Sequence, residues 1–263
     1  MDFDYWLKQT PEKPLYPDIE WQKPEQKALA GNLLIVGGNA HGFAAVAQAY
    51  QDAVQAGIGE CRVVLPDALK KNIDATIDCV FVPTNQSGGI TKDSINQLKA
   101  AAAWADGLLL IGDAGRNSET AIVYEQLLNA FPDKPTFITR DSFDLLKGLW
   151  PSLIARKNTS LIITLAQLQK LFQAVYYPKT ILFSMQLANL AETLHKFTIT
   201  YDCAMVVFHQ NQLVVAQAVR VTSTPWDQPM LIWRGSVAAK AATYCIHHPS
   251  NIVAAISASL VSK

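Results

Sequence analysis

Short, continuous runs of apolar residues alternate along this chain with segments whose apolar residues recur every three or four positions. The clearest runs are residues 32–36, 62–65, 80–82, 108–111, 136–138 and 161–163. A strand that is apolar at every position, rather than at every second one, is typical of a sheet covered on both faces. Because helix and strand patterns alternate, the sequence predicts an α/β protein with a mostly parallel sheet and helices on both faces.

The pattern changes near residue 205, where two apolar segments, 205–208 and 213–216, flank a polar stretch containing Asn211. This arrangement predicts a β-hairpin with Asn in the turn, and residues 219–221 are a candidate third strand. Two helices rich in small residues are predicted at 237–247 and 251–261, with Ser250 as a candidate cap of the second. The chain therefore adds a small antiparallel element to the parallel sheet.

The first thirty residues contain prolines at spacings that forbid a long helix. These prolines are Pro11, Pro14, Pro17 and Pro24. Residues 1–30 are therefore predicted to be an extended lead-in segment. Because large aromatic side chains favour burial, we expect Trp6, Tyr16 and Trp21 to hold this segment against the body of the protein.

The overall composition restricts the partners that such a fold can have. The chain has 263 residues and is 50% hydrophobic, with 22 Lys+Arg against 22 Asp+Glu and hence zero formal net charge. A nucleic-acid partner would favour a basic excess, so none is expected. No repeat or linker divides the sequence, which predicts a single domain over residues 1–263.

Cysteine usage and terminal composition indicate the compartment. The four cysteines form no CxxC pair and no metal-ligand spacing with histidine, so we expect reduced thiols and no metal centre. The first residues are acidic and proline-rich rather than basic and apolar, and no segment is suited to crossing a bilayer. These features predict a cytoplasmic protein with no membrane partner.

Two glycine-rich turns follow predicted strands and precede predicted helices, where free backbone N–H groups attract anions. The first, GGNAHGF, has the candidate substrate contacts Gly37, Gly38, Asn39, His41 and Gly42. It is not a GxGxxG fingerprint, so it could also be a tight turn without a ligand, and His41 could be either a ligand contact or a turn residue. The second, IGDAGRNSET, has the candidate phosphate contacts Gly112, Asp113, Gly115, Arg116 and Asn117, and either Asn117 or Ser118 could cap the next helix.

Two further turns contain chemically suggestive residues. Asp141, in ITRDSFDLL, follows a strand and is predicted mainly to cap a helix, since no catalytic partner is apparent from spacing. Arg234, Gly235 and Ser236 precede a helix whose first N–H groups would suit a phosphate, with Arg234 adding a cation. Either Gly235 or Ser236 is expected to be the N-cap. No general base is evident for Ser236, which disfavours a serine nucleophile.

From about residue 26 to the end, the order and spacing of these segments resemble the ATP/ADP-dependent NAD(P)H-hydrate dehydratases of the ribokinase-like superfamily. The segment LAGNLLIVGGNAHGFAAVAQAYQDAVQAGIGECRVVLPDAL resembles that family's opening block. ADGLLLIGDAGRNSET is similar to its strand followed by GPGLG, and PTFITRDSFDLL is similar to its P-x-x-x-D-A-D segment. RGSVAAKAATYCIHHPSNIVAAISASLV lies where the family has G-[ST]-G-D and two helices.

The chain departs from the family pattern at the residues that would carry the chemistry. Ser236 stands where the resemblance implies the catalytic Asp, and a serine is no base near pH 7. Thr164 is the remnant of T-P-H-x-G-E, and the D-A-D segment retains only Asp141. A fold that has lost catalytic residues does not carry the activity with it.

The resemblance implies a three-layer ribokinase-like sandwich, ATP or ADP with Mg²⁺ or an NAD(P)H-type ligand, and a homo-oligomer. Three interpretations remain open. The preferred one is a dehydratase-like pseudoenzyme that binds a nucleotide or another phosphorylated ligand. The second is an active hydro-lyase with a relocated acid, such as Asp113 or Asp141. The third is a non-catalytic assembly protein.

Overall fold

The computed structural model describes residues 4–74 and 76–262. The strands are β1 (Trp6–Lys8), β2 (Asn32–Gly37), β3 (Glu60–Pro66), β4 (Cys79–Val82), β5 (Gly107–Gly112), β6 (Thr136–Thr139), β7 (Thr159–Ile163), β8 (Ala204–His209), β9 (Gln212–Gln217) and β10 (Arg220–Pro225). The helices are α1 (Pro17–Trp21), α2 (Ala44–Gln55), α3 (Ile95–Trp104), α4 (Ser118–Ala130), α5 (Arg140–Leu145), α6 (Trp150–Ile154), α7 (Leu165–Ala174), α8 (Leu187–Thr200), α9 (Pro229–Trp233), α10 (Ser236–His247) and α11 (Ile252–Val261).

One ten-stranded sheet contains all these strands, in the order β1-β10-β9-β8-β7-β6-β5-β2-β3-β4. Strands β2 to β8 pair in parallel, and β9 runs antiparallel to both of its neighbours. The predicted mostly parallel α/β sheet with a small antiparallel element is therefore confirmed.

Helices cover both faces of this sheet, which explains the continuous apolar runs. Along β5, Leu108 and Leu110 join the core beneath α3 to α8, whereas Leu109 and Ile111 join the core beneath α2, α10 and α11. All four side chains are fully buried. Successive residues of a strand point to opposite faces, so a sheet with two covered faces requires apolar residues at every position.

The hairpin between β8 and β9 turns at Gln210 and Asn211, as predicted from Asn in this stretch. Both residues have positive φ, 47° and 56°, which is the geometry of a type I′ turn. The candidate third strand is present as β10, shifted by one residue at its start and extended to Pro225.

The lead-in segment is held to the body partly by residues other than those predicted. β1 pairs in parallel with β10 as an edge strand, and Trp6 Nε1 donates to Ser223 Oγ at 3.0 Å. Tyr16 packs against the core, but Trp21 is 88% exposed, so its predicted pinning role is wrong. On the short helix α1, Trp21 is the last residue and faces outward, whereas Ile19 packs inward. Residues 1–3 of this segment lie outside the described residues.

The last two helices begin at caps that local sequence only partly identified. Gly235 is the N-cap of α10, with φ 88°, as one of the two predicted alternatives. The N-cap of α11 is Asn251, whose side chain accepts the N–H of Ala254 at 3.1 Å. Ser250 is therefore not the cap, because the helix begins one residue later than the sequence suggested.

Candidate functional site

The order of the parallel strands reverses between β2 and β5, which lie side by side at the centre of the sheet. β3 and β4 extend the sheet on one side of β2, and β6, β7 and β8 extend it on the other side of β5. A crevice forms outside the carboxyl ends of the strands at such a reversal. Because β2 ends at Gly37 and β5 ends at Gly112, two of the predicted turns meet at this point.

These glycines allow close backbone contact. A Cβ on Gly37 would lie 2.5 Å from the carbonyl oxygen of Gly112, and the N–H of Gly38 donates to that same oxygen at 2.8 Å. A Cβ on Gly235, at the start of α10, would overlap the side chain of Ile111 at the end of β5. The structure thus brings together three of the four turns that the sequence singled out, those at Gly37, Gly112 and Gly235.

Asp113 lies at the reversal point of the sheet, immediately after β5. Its Oδ2 accepts the N–H of Ala45 in the first turn of α2 at 2.9 Å, and its Oδ1 pairs with the guanidinium of Arg140. The side chains of Asp113 and Arg140 are 19% and 24% exposed. Both residues have positive φ, 54° and 56°, a conformation that costs non-glycine residues on the order of 1 kcal/mol or more.

Asp141 does not cap its own helix, contrary to the sequence prediction. Its two carboxylate oxygens accept the N–H groups of Asp113 and Ala114 at 2.9 and 3.0 Å. α5 already begins at Arg140, with Thr139 at the N-cap position, so the Asp141 side chain reaches instead to the turn after the neighbouring strand.

Tyr124 is a buried neighbour of Asp141. Burial is the larger cause, and the Asp141 charge the smaller cause, that raises the pKa of the Tyr124 phenol, which keeps the phenol neutral.

Two adjoining cavities open over the carboxyl ends of β6, β7 and β8. The charged cavity, of about 350 Å³, is lined by four charged side chains: Arg140, Asp141, Asp144 and Lys170. The aromatic cavity, of about 320 Å³, is lined by Phe183, Phe208 and Trp233. The two cavities share Ile163, Thr164, Ala166, Ile232 and Trp233. They therefore form one continuous crevice with a charged half and an aromatic half.

The aromatic cavity presents two exposed rings from separate segments. Phe183, in the loop before α8, is 66% exposed, and Trp233, the last residue of α9, is 49% exposed. The buried ring of His209 anchors the loop, since its Nε2 lies 2.7 Å from the carbonyl oxygen of Met185. Exposed aromatic faces on anchored segments are suited to holding a flat, partly apolar group.

Two residues that line both cavities, Ile232 and Trp233, immediately precede Arg234 and Gly235 at the start of α10. Within the part of the chain that the structure describes, no side chain caps this twelve-residue helix. Ser236 is only 4% exposed and its buried Oγ has no hydrogen-bond partner among the described residues. Arg234 is exposed. The helix start thus offers backbone N–H groups beside the crevice without a carboxylate at residue 236.

The other predicted contacts mostly serve local structure. The N–H of Asn39 donates to the carbonyl of Gly42 at 2.9 Å, and the N–H of Gly42 donates back at 3.0 Å. His41 is exposed and lines a separate cavity of about 530 Å³ against α2. The structure therefore does not bring His41 to the charged or aromatic cavity.

In the second turn, Asn117 is the N-cap of α4, and its Oδ1 accepts the N–H groups of Glu119 and Thr120. Its Nδ2 donates to Ser87 Oγ at 2.9 Å. Gly115 has φ 77°, and Arg116 is exposed. Asn117 therefore confirms one of the two predicted caps, and its side-chain groups are engaged in local contacts.

Sequence reasoning did not single out several residues of the crevice. Thr164 and Gln167 form a capping box at the start of α7, a T-x-x-Q pattern that is readable from sequence. Gln167 Nε2 also donates to Arg140 O and to Asp144 Oδ2, both at 2.8 Å. Trp233 directly precedes the RGS turn and could have been noticed, whereas Phe183 lies in a loop without any periodic signal.

The described residues contain neither a metal-binding cluster nor a membrane-spanning helix. No group of three or more His, Cys, Asp or Glu residues there could hold a metal ion. Within residues 4–74 and 76–262, no helix combines the length and the apolar character needed to span a bilayer.

Comparison with known proteins gives matches in structure rather than in sequence. No protein-family model matches the chain. No curated protein matches it by sequence either. A ribokinase-like superfamily protein from Enterococcus faecalis is 14% identical, with a TM-score of 0.72, and the match covers 100% of this chain and 88% of the other. A protein from Streptococcus mutans is 16% identical, with a TM-score of 0.71 and coverage of 92% and 84%.

A third solved structure is the ADP/ATP-dependent NAD(P)H-hydrate dehydratase from Bacillus subtilis, co-crystallized with ATP/Mg²⁺. It is 13% identical to this chain, with a TM-score of 0.62, and the match covers 92% of this chain and 83% of the other. Identities this low establish the fold alone. The chain therefore has the ribokinase-like fold that its sequence led us to expect.

Proposed function

We propose that this protein binds a nucleotide in the crevice beside α10 and does not use residue 236 as a catalytic acid or base. The observation that carries the proposal is the continuity of the crevice. The aromatic and charged cavities share five lining residues, and two of these, Ile232 and Trp233, immediately precede the turn at the start of α10. A ligand with a flat ring at one end and phosphates at the other matches this arrangement.

The aromatic cavity is the place for the base. Phe183 and Trp233 expose ring faces there, and Ile232 is buried beside them. Transfer of an aromatic ring from water into such a cavity is favourable in proportion to the apolar area that it buries. This half of the crevice therefore supports a ligand that carries a nucleobase.

The start of α10 is the place for the phosphates. Its backbone N–H groups and the helix dipole favour an anion, and exposed Arg234 lies just ahead of them. The neighbouring charged cavity, together with Asp113, has three carboxylates and two cations, namely Asp113, Asp141, Asp144, Arg140 and Lys170. A polyphosphate complexed with Mg²⁺ would meet less repulsion here than the free anion, so we propose Mg²⁺ as part of the ligand.

The hydrogen bonds of the crevice acids favour binding over turnover. A general base must direct a free lone pair at the substrate, or reach it through a water molecule. Both oxygens of Asp141 accept backbone N–H groups, and those of Asp113 accept from Ala45 and Arg140. These bonds fix the orientation of both carboxylates and tie them to the turns of the sheet, which supports the pseudoenzyme interpretation rather than a hydro-lyase in which one of these acids replaces the missing base.

The experiment is a titration of the whole chain with ATP, ADP and NADH, each with and without Mg²⁺, followed by calorimetry and thermal unfolding. We expect an adenine nucleotide with Mg²⁺ to bind. At one hundred times its Kd, it should add about 2.7 kcal/mol to the free energy of unfolding. If none of these ligands shifts the unfolding temperature and light scattering shows a defined homo-oligomer, the assembly interpretation replaces this one.

Turnover separates the pseudoenzyme from the active hydro-lyase. Hydrated NADH incubated with the protein, ATP and Mg²⁺ should be consumed no faster than in the absence of the protein. Consumption that scales with protein concentration would contradict the loss of catalysis. Absorbance of regenerated NADH at its long-wavelength band is the readout.

A further inference from the structure

We infer that the Asp113 carboxylate occupies an anion-binding site at the reversal point of the sheet, and that it keeps external phosphate out of this site. The site consists of the Ala45 N–H and the Arg140 guanidinium, and we call it the anion seat. Asp113 is then a specificity-determining residue of the crevice. The inference rests on the proposed function for its biological meaning, but the seat itself can be tested without any nucleotide.

The seat combines the two kinds of donor that bind anions in proteins. Ala45 lies in the first turn of α2, and the residue at the N-cap position of this helix, Phe43, provides no capping side chain. Asp113 Oδ2 fills that role from 68 positions away in sequence, at 2.9 Å from the Ala45 nitrogen. Arg140 supplies a charged partner for the other oxygen. A carboxylate held between a helix start and a guanidinium occupies the place of a bound anion.

The Arg140 side chain has a further donor that Asp113 does not use. Its Nε is buried and has no hydrogen-bond partner among the described residues. Because a guanidinium presents its donors as a fixed planar fork, an anion with more acceptor oxygens than a carboxylate could engage more of them. The guanidinium of Arg140 is therefore only partly satisfied by Asp113.

The second cation of the charged cavity, Lys170, is also paired with a carboxylate, which likewise competes with an entering anion. Lys170 Nζ lies 3.4 Å from Asp144 Oδ1, so both cations that line the cavity have a carboxylate partner. The Arg140–Asp113 pair is the less exposed of the two pairs, since Lys170 and Asp144 are 61% and 43% exposed. Coulomb attraction is screened less in the less exposed pair, so Asp113 competes with an entering anion more strongly than Asp144 does.

The test removes Asp113 and supplies inorganic phosphate as the probe. Asp113→Gly empties the seat and suits the positive φ of 54° at this position. Asp144→Asn is the matched control, because it removes the same charge from the same crevice without emptying the seat. We expect Asp113→Gly to bind phosphate at least tenfold more tightly than the unchanged protein, as measured by calorimetry, and Asp144→Asn to change this affinity by less than threefold.

The double variant Asp113→Gly/Arg140→Gln should lose the gain in phosphate affinity, because the cation of the seat is then absent. An equal gain in Asp113→Gly and Asp144→Asn would overturn the inference, and so would a gain that survives in the double variant. If Asp113→Gly does not fold, Asp113→Ser removes the carboxylate that pairs with Arg140 and keeps a small polar side chain, and the same comparison applies.

The outcome is distinguishable from failure of the proposed function. Nucleotide binding by the unchanged protein tests the proposed function, whereas phosphate binding by the Asp113 variants tests the seat. A protein that binds ATP with Mg²⁺ but gains no phosphate affinity in Asp113→Gly would retain the proposed function and lose this inference. A protein that does not bind ATP with Mg²⁺ but gains phosphate affinity in Asp113→Gly would support the anion seat and contradict the proposed function.

Discussion

The side chain of residue 236 distinguishes a helix start that only binds phosphate from one that also carries a catalytic base. The Ser236 hydroxyl is buried at the first position of α10 and carries no charge near pH 7. A carboxylate at this position would lie close to any phosphate held by the same helix start, and like charges repel. The side chain at 236 therefore determines whether this helix start carries a group that can take a proton from a substrate.

Replacing Ser236 by Asp tests where the phosphates bind. We expect Ser236→Asp to weaken binding of ATP with Mg²⁺ about tenfold, equivalent to about 1.4 kcal/mol, through repulsion of the phosphates. Ser236→Asn is the control for size, and calorimetry is the measurement. Equal affinities of the two variants for ATP with Mg²⁺ would mean that the phosphates bind elsewhere. Turnover of hydrated NADH by Ser236→Asp, but not by Ser236→Asn, would mean that the remainder of a dehydratase site is intact.

Trp233 offers a test of the base position in the aromatic cavity. Trp233→Ala should weaken nucleotide binding about 5- to 150-fold, because stacking of a base on an aromatic ring contributes about 1–3 kcal/mol. Met230 is a suitable control, since it is 59% exposed on the same helix, α9, and lines neither cavity. Fluorescence of Trp233 on titration with ATP provides a second readout, and a loss in Met230→Ala of the same size would argue against a role for the cavity.

Gln9 shows how one buried polar residue holds the lead-in segment. It is 2% exposed, and its Nε2 donates to Thr224 Oγ1 at 2.8 Å and to the carbonyl of Ser257 at 2.7 Å. Its Oε1 accepts the N–H of Leu15 at 3.2 Å. These bonds tie the lead-in segment to both the edge of the sheet and α11.

Truncating Gln9 should therefore be costly. Gln9→Ala leaves the Ser257 carbonyl and the Leu15 N–H without this partner, and a buried polar group without a partner costs about 1–3 kcal/mol. Exposed Gln22, just after α1, is the control residue, and we expect Gln22→Ala to change the free energy of unfolding by less than about 0.5 kcal/mol. Urea denaturation of both variants measures the difference, and equal midpoints would contradict the role given to Gln9.

At the scale of secondary-structure elements, the helices around the crevice begin in different ways. α4 is capped by Asn117, and α7 by the Thr164–Gln167 capping box. α2 receives its carboxylate from Asp113, and α10 receives no capping side chain from any described residue. An uncapped helix start leaves N–H groups without hydrogen-bond partners. Of the long helices around the crevice, α10 is therefore the one whose N–H groups a bound anion would satisfy.

The cap of α4 gives a prediction at this scale. Asn117→Ala removes the acceptor of two N–H groups and should lower the free energy of unfolding by about 1 kcal/mol. For a chain of this size, that corresponds to a melting temperature lower by about 2–4 °C. Ser118→Ala, at an exposed position one residue later, should leave the melting temperature nearly unchanged, and a comparable drop there would contradict Asn117 as the cap.

At the scale of the whole molecule, two cores on opposite faces of one sheet bury most of the thiols. Cys61 is 8% exposed and Cys203 is fully buried, and burial raises the pKa of both thiols to about 12 from an ordinary value of 9.0. Burial also raises the pKa of Cys245, and that of Cys79 to about 11. In the unfolded chain these thiols ionise at the ordinary pKa, so alkaline pH favours unfolding.

Stability should accordingly fall as pH rises above about 9, and continue to fall toward pH 12. At pH 10.5, Cys61 and Cys203 should each reduce the free energy of unfolding by on the order of 2 kcal/mol relative to pH 8. Urea denaturation at pH 8, 9.5 and 10.5 measures the slope. Cys203→Ala should flatten it whatever the cost of the substitution at pH 8, and an unchanged slope in this variant would contradict burial of the thiol as a cause.

Much of the fold and part of the site were predictable because they depend on neighbours in sequence. The runs that became β2 and β5, the Asn211 turn and the Asn117 cap all follow from local patterns with a direct physical reading. Trp21 and Asp141 show where local patterns fail. The outward direction of the Trp21 side chain on α1 and the reach of Asp141 to the turn after β5 depend on partners far away in sequence.

The sequence by itself determined the fold class and the glycine turns at the ends of β2 and β5, because strand burial and glycine conformations are properties of short segments. Only the tertiary structure decided that Asp113 meets Ala45 and Arg140, and that Phe183 and Trp233 share one cavity. Those contacts arise from the order of strands in the sheet, which joins segments that no local pattern relates. The chemistry of the crevice therefore became readable only once β2, β5 and β6 stood side by side.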